Sequence, residues 1–477
     1  MMSLTRKNIY LGLFINSIFF TITFIEYIFF DAGYYFSLKV IELELFILFI
    51  YSIFFTYFYT KNWLNFYILF LGLTSLFLFS RPFLNLFDLS SYLGYGEDLW
   101  NYEHKLGNIY LFKENVLVTI NFICIFSIIG LNYGFWGRDC RFNYDYKLNV
   151  CSGSYVNYKL GIYFYFIGAV AFIYKVLIYI NLLSNYGYFY LYSGQYTLPW
   201  IVRIFDDFLY IGYIIIMVNK PRKKIAYRFS LLTIFLYGTM LFTGMRAEFF
   251  TVFLSIIWML SILYQWKIKL FKLLIFLVLL MLLGQSILLI KNHNLHFQFN
   301  DIYRMLPKFI EDQGVSVLIL GFITDFKEYF IGWYQGFRFF ISPIVTVYYT
   351  IFGGLPPRTV SDPTTVYSLG EMLTYFITPN AYRLGAGTGS SYIAELYSFN
   401  GSMFFLLLMS TLFGWFLSFF TNSFISRKNG LFVVMITLPT IFWATRASIL
   451  TIFDRILFAF LLIVTFKVIY TLIRIKK

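Results

Sequence analysis

Residues 431–473 read LFVVMITLPTIFWATRASILTIFDRILFAFLLIVTFKVIYTLI, an almost unbroken apolar run. A membrane-crossing helix needs about 20 mostly apolar residues, so this run is too long for one crossing. Thr445-Arg446-Ala447-Ser448 breaks it where a turn would put a guanidinium at a membrane interface. Residues 226–265 repeat the arrangement, with Thr243-Gly244-Met245-Arg246-Ala247-Glu248 at the break. Working outward, further runs lie near 8–30, 39–59, 62–80, 115–136, 158–183, 200–218, 271–290 and 401–424. With the two long runs split at 226–244 and 247–265 and at 431–448 and 452–473, the expectation is an all-α polytopic membrane protein of twelve spans.

The 477 residues are 60% hydrophobic and 13% charged, with a mean hydropathy of +0.73. A soluble chain carries about 25% charged residues, so the composition excludes a water-soluble enzyme. Cys124, Cys140 and Cys151 are too few for a disulfide-stapled ectodomain, and no Cys/His cluster has zinc spacing. The first run follows Arg6-Lys7 like a signal peptide, yet it is too long for one and lacks a small-residue cleavage site. It reads as a retained span.

Basic clusters at Arg6-Lys7, Arg138/Arg141/Lys147/Lys159, Lys220–Lys224, Lys267/Lys269/Lys272, Arg427-Lys428 and Arg474/Lys476/Lys477 fall on one side of a twelve-span chain. That side is cytoplasmic, and both termini join it. The formal charge of +14 is therefore mainly a topology signal and an attraction to anionic lipid, not a sign of nucleic acid. The chain reads as one membrane domain: nine spans in 1–290, a large extracytoplasmic loop at 291–400, and three spans in 401–477. Apolar pieces at 314–324 and 337–352 are too short or broken to span, and are expected to lie at the interface or dip in and return.

Ionisable groups within or beside spans are costly and hence functional candidates. Arg246 would present a planar five-donor cation at an outer span end, with Glu248 to orient it; snorkelling to headgroups is the plainer alternative. Arg446 offers the same choice, and Asp454 is close enough in sequence to pair with Arg455. The outer loop adds Arg338, Arg358 after Pro356-Pro357, and Arg383. It ends in Gly389-Ser390-Ser391-Tyr392-Ile393-Ala394-Glu395, which runs from a Gly-rich turn toward a helix start. Amides there would bind phosphate, and Glu395 would act as a base or simply favour the helix end. Asp206 and Asp207 suggest an ion pair with Arg203, while Glu26, Glu42 and Glu44 suggest a polar path. His293 and His296 lack a third metal ligand, so no metal site is expected.

Together, the Thr243–Ala247 motif, the late loop with Pro356-Pro357-Arg358, the run Gly387–Gly401 and Arg446 resemble the Wzy-type polysaccharide repeat-unit polymerases of O-antigen and capsule pathways. The resemblance implies a C-type glycosyltransferase-like fold in the bacterial plasma (inner) membrane. It also implies glycosyl transfer between undecaprenyl-pyrophosphate-linked oligosaccharides at the periplasmic face. A Wzz-type chain-length regulator would be a partner, membrane lipid would surround the chain, and no cofactor is implied. In that scheme Arg246, Arg358 and Arg446 clamp the pyrophosphate while Glu395 takes the acceptor proton. Arg338, Arg383, Gly389, Ser390 and Tyr392 contact substrate, and Trp333, Tyr334 and Tyr382 offer rings for sugars. Competing readings are a lipid-linked oligosaccharide flippase, an O-antigen ligase, or an assembly subunit. The clustering of arginines at one face favours an enzyme over a transporter with midplane polar residues.

Overall fold

The computed structural model describes residues 2–90, 95, 112–139, 158–186, 198–243, 246–273, 275, 278, 279, 281, 282, 302–352, 368–383, 387–426 and 428–475. Every regular element among them is helical. The chain divides into two compact units. The first comprises Met1–Tyr144, Ile268–Phe419 and Ala444–Ile449, and the second Asp145–Lys267, Phe420–Trp443 and Leu450–Lys477.

The first unit begins with α1 (Met2–Asp31), α2 (Leu38–Thr60), α3 (Phe66–Thr74), a π-helical turn (Ser75–Phe79), α4 (Ser80–Leu86) and α5 (Glu114–Asp139). The second unit's α6 (Tyr158–Tyr186), α7 (Trp200–Val218), α8 (Lys223–Gly238) and α9 (Arg246–Tyr264) follow. The outer-loop region then supplies the first unit with α10 (Ile302–Gln313), α11 (Val317–Asp325), α12 (Lys327–Phe330), α13 (Trp333–Phe352), α14 (Leu369–Ile377), α15 (Pro379–Arg383) and α16 (Tyr392–Ser398). The chain closes with α17 (Met403–Ser423), α18 (Lys428–Trp443) and α19 (Thr451–Ile475).

Helices overlap eleven of the expected stretches, and 271–290 is described only in part. By length and composition, seven of the described helices can cross a membrane: Lys7–Asp31, Phe66–Leu86, Glu114–Arg138, Tyr158–Tyr186, Lys223–Thr243, Ala247–Tyr264 and Met403–Asn422. Lys428–Trp443 is apolar but shorter, and α2, α7 and α19 carry several ionisable residues. All of Val317–Ile323 in α11 is buried, as suits a short helix that enters the protein interior.

Local chemistry explains the breaks. Lys61 adopts the left-handed conformation, and its N–H returns to the Tyr57 carbonyl to close α2. The Asn65 side chain then caps α3 by accepting from the Tyr67 N–H at 2.8 Å. Within the third span, Pro82 has no N–H for the Leu78 carbonyl and its ring would crowd that turn. The wide π-helical turn at Ser75–Phe79 relieves the crowding.

Lipid gives helices no hydrophobic reason to associate, so close contact and polar pairing hold them together. In the first unit Asn132 of α5 accepts from the Tyr67 hydroxyl at 2.7 Å and donates to Asn16 and Ser52, joining α1, α2, α3 and α5. A Cβ added at Gly134 of α5 would lie 2.0 Å from the Thr411 carbonyl oxygen of α17, so these backbones touch. In the second unit, a Cβ at Gly168 of α6 would lie 2.0 Å from the Leu209 nitrogen of α7.

Gly134→Ala must therefore push α5 off α17, at a cost of about 1–3 kcal/mol. A lowered unfolding midpoint of the detergent-solubilised protein is expected. Gly137→Ala in the same helix, with nothing within 4 Å of its added methyl, leaves the midpoint unchanged. Equal midpoints for both variants would show that the contact carries no weight.

Candidate functional site

The Gly-Ser run and the break in the quoted stretch meet within the first unit. The Ser390 N–H donates to the Arg446 carbonyl at 3.3 Å and the Tyr392 N–H to the Ala444 carbonyl at 2.9 Å, laying the two segments side by side. Gly389 has φ +79°, a left-handed backbone that favours glycine, and an added Cβ would sit 3.1 Å from the Arg446 carbonyl oxygen. Ser391 is the N-cap of α16 and accepts from the Ala394 N–H at 3.2 Å. The amides of Ser390, Tyr392 and Ala394 thus already have partners inside the protein.

Glu395 fastens the two segments from within. It is 4% exposed, and its carboxylate accepts from the Ser390 hydroxyl at 2.8 Å, the Ser448 hydroxyl at 3.1 Å and the Ile449 N–H at 3.0 Å. Burial pushes its pKa from the ordinary 4.5 up to about 7, against the pull of those three hydrogen bonds. Arg446 projects from the loop so held. Its Nη1 donates to the Gln313 Oε1 of α10 at 3.3 Å, and its guanidinium lies 5.5 Å from the centroid of Phe77 in the π-helical turn.

Beside Phe77 stands a cation outside the candidates taken from the sequence. Arg81, 1% exposed, donates through Nε to the Glu311 carbonyl at 3.2 Å and through Nη1 to the Tyr95 carbonyl at 2.7 Å. The Glu311 side chain is itself buried and accepts from Ser90 at 3.0 Å. Gly314 makes room for this assembly, since an added Cβ would lie 2.2 Å from the Ser80 Oγ. The available signal was an Arg-Pro pair directly following an apolar run, with a π-helical turn to aim it.

The other candidates scatter. Tyr392 is fully buried, with its ring centroid 5.6 Å from Phe70 and 5.3 Å from Phe413, and Tyr382 is also buried. Trp333 and Tyr334 are exposed on α13, where Arg338 is half-buried, and Arg383 is exposed at the end of α15. Arg358, His293, His296 and Gly244-Met245 lie outside the described residues. Arg246 begins α9 in the second unit, and its side chain also lies outside them.

Two ion pairs draw on partners that sequence proximity did not suggest. Arg455 pairs with Asp207 at 3.7 Å, while its charge also reaches the neighbouring Asp454. Asp206 pairs with Lys175 at 2.7 Å, where Arg203 was expected. Among the described residues no group of three or more His, Cys, Asp or Glu is placed to hold a metal ion. Of the acids expected to mark a polar path, Glu42 is fully buried and accepts from Asn85 at 2.7 Å and from the Tyr95 hydroxyl, while Thr23 donates to Glu44.

These features define a polytopic helical membrane protein with buried polar assemblies in both of its units. The family model for O-antigen polysaccharide polymerase Wzy matches residues 13–477, nearly the whole chain, and the chain belongs to that family. Its general role is therefore that of an O-antigen repeat-unit polymerase, a membrane enzyme of polysaccharide biosynthesis. Comparison with curated proteins and with solved structures gives no match.

Because the Glu395 pKa is higher in the folded protein than its ordinary value, the native form binds the extra proton between pH 4.5 and about 7. The stabilisation is complete below that window and is lost as pH rises through it, by roughly 3 kcal/mol for this group. Melting of the purified protein from about pH 5 to about pH 8 should show wild type losing ground steadily to Glu395→Gln, which has no proton to lose. Parallel curves for the two proteins would rule out the raised pKa.

Proposed function

We propose that this chain polymerises undecaprenyl-pyrophosphate-linked oligosaccharide repeat units at the periplasmic face of the bacterial plasma membrane, with both termini cytoplasmic. The family match over nearly the whole chain carries the polymerase reading. The placement of Lys/Arg clusters on one side of a twelve-span chain supports the orientation. A pyrophosphate leaves readily once its charge is met, so the reaction calls for fixed cations aimed at the phosphate oxygens. A guanidinium offers planar, bidentate donors for that task.

Arg446 is such a group in the first unit. Its loop is locked by Glu395, and its head is seated against Phe77 and Gln313. Arg246 is its counterpart in the second unit, at the first residue of α9. Arg338, Arg358 and Arg383 contribute further phosphate and sugar contacts from the outer loop, and Trp333 and Tyr334 supply exposed rings for sugar stacking. Gly389, Ser390 and Tyr392 shape the frame around Arg446. Glu395, enclosed by three donors, serves here as a positioning residue. Neither cofactor nor metal enters the scheme, and a Wzz-type regulator of chain length is the expected protein partner.

In a strain lacking the chromosomal gene, Arg446→Ala should abolish the long polysaccharide ladder. Protein abundance and the single-repeat product should both persist. Loss of one such charge contact corresponds to a rate deficit of about 100-fold or more. Arg446→Lys, with a point charge in place of the planar fork, should restore only short ladders. Loss of the single-repeat product as well would indicate a flippase, and an unaltered long ladder in Arg446→Ala would remove Arg446 from the reaction.

A further inference from the structure

Four helices of the second unit bring charges together. Lys175 of α6 lies 2.7 Å from Asp206 of α7 and 3.7 Å from Glu248 of α9, and Arg455 of α19 lies 3.7 Å from Asp207 of α7. Tyr237 of α8 adds a hydroxyl within electrostatic reach of Glu248, Asp206 and Asp207. Lys175 sits inside a 29-residue apolar span, and each such charge costs about 2.5–3.5 kcal/mol to insert at a helix centre. Packing does not require this outlay. Backbone contact at Gly168 and Gly212 already holds α6 against α7, with an added Cβ at Gly212 only 2.3 Å from the Tyr165 nitrogen.

The pairing is also uneven. Among the described pairs Lys175 is shared by Asp206 and Glu248, while Arg455 takes Asp207. Asp206 holds the lysine closely, leaving Glu248 the looser partner. Glu248 is half-buried in the first turn of α9, where the positive end of the helix favours an ionised carboxylate. Arg246 begins the same turn, so the residue proposed above as a phosphate contact and this loosely held carboxylate belong to one helix end. Glu395, by contrast, has three donors on its oxygens and almost no exposed surface.

We infer that Glu248 is the catalytic residue that accepts the proton of the attacking sugar hydroxyl, with Lys175 as the positioning residue that holds it in place. This rests on the polymerase reading above. The hydroxyl oxygen forms the new bond to the anomeric carbon as the bond from that carbon to the phosphate oxygen breaks. The lipid diphosphate leaves with the electron pair, and the hydroxyl proton passes to the Glu248 carboxylate and then to water. Lys175, Asp206, Asp207, Arg455 and Tyr237 are the described groups that set the charge around it.

The test uses membranes containing the full-length protein and the lipid-linked repeat units that accumulate in the deletion strain, with rates followed against pH and substrate concentration. Glu248→Gln should lower kcat by about 100-fold or more, with KM held within about threefold. Glu248→Asp should retain part of the rate, with the pH limb displaced. Lys175→Met combined with Glu248→Gln and Asp206→Asn removes the lysine together with both carboxylates paired to it, and it should be abundant yet inactive. A triple variant working at the wild-type rate would overturn the inference by showing that only the cluster's balance matters. Disappearance of every Glu248 variant from the membrane would overturn it too, by making the cluster a folding clasp. If wild-type membranes made no polymer from these units, the polymerase reading itself would fall; normal polymerisation by Glu248→Gln would remove only the proton acceptor.

Discussion

A carboxylate shut away from water must be met by donors or hold a proton, and the first unit is arranged around one that does so. Glu395 draws in two serine hydroxyls and one backbone amide from segments more than fifty positions apart in sequence. These bonds, with two backbone hydrogen bonds from Ser390 and Tyr392, fix the Gly-Ser run against the loop that carries Arg446. Arg446 owes its place to this stitching. Remove it, and a long cationic side chain would be left at the end of a flexible turn.

The same constraint is met differently in the second unit. There the charges are neutralised by one another across helices: Lys175 with Asp206 and Glu248, and Arg455 with Asp207. The first unit seals Glu395 with neutral donors, whereas the second pairs its carboxylates with cations. Donor bonds that use up an acid's lone pairs suit scaffolding. A loosely paired acid suits proton transfer.

Much of the helical layout could be read from apolar run length, and the interruptions at Arg246 and Arg446 fell where the helices break. The run from a Gly-rich turn toward a helix start was legible, and Ser391 caps the helix that begins there. What local spacing could not reveal is which distant groups meet. Arg81 is tied to the Glu311 carbonyl 230 positions away, and no pattern near either residue announces it. Arg455 reaches Asp207 as well as its neighbour Asp454, and Asp206 pairs with Lys175, because helix packing brings the distant partner into reach. Tyr392, a candidate for substrate contact, is enclosed by Phe70 and Phe413. Aromatic residues are so frequent in this chain, at 24%, that their type says little about which face they occupy.

Hydrogen exchange at the Ile449 amide reads the Glu395 stitch most directly. Mass spectrometry of a peptide covering 444–449 should show that amide protected in the wild-type protein, and Glu395→Ala should speed its exchange by about tenfold or more. Rapid exchange in wild type, or protection that survives the substitution, would contradict a loop held in place by a buried carboxylate.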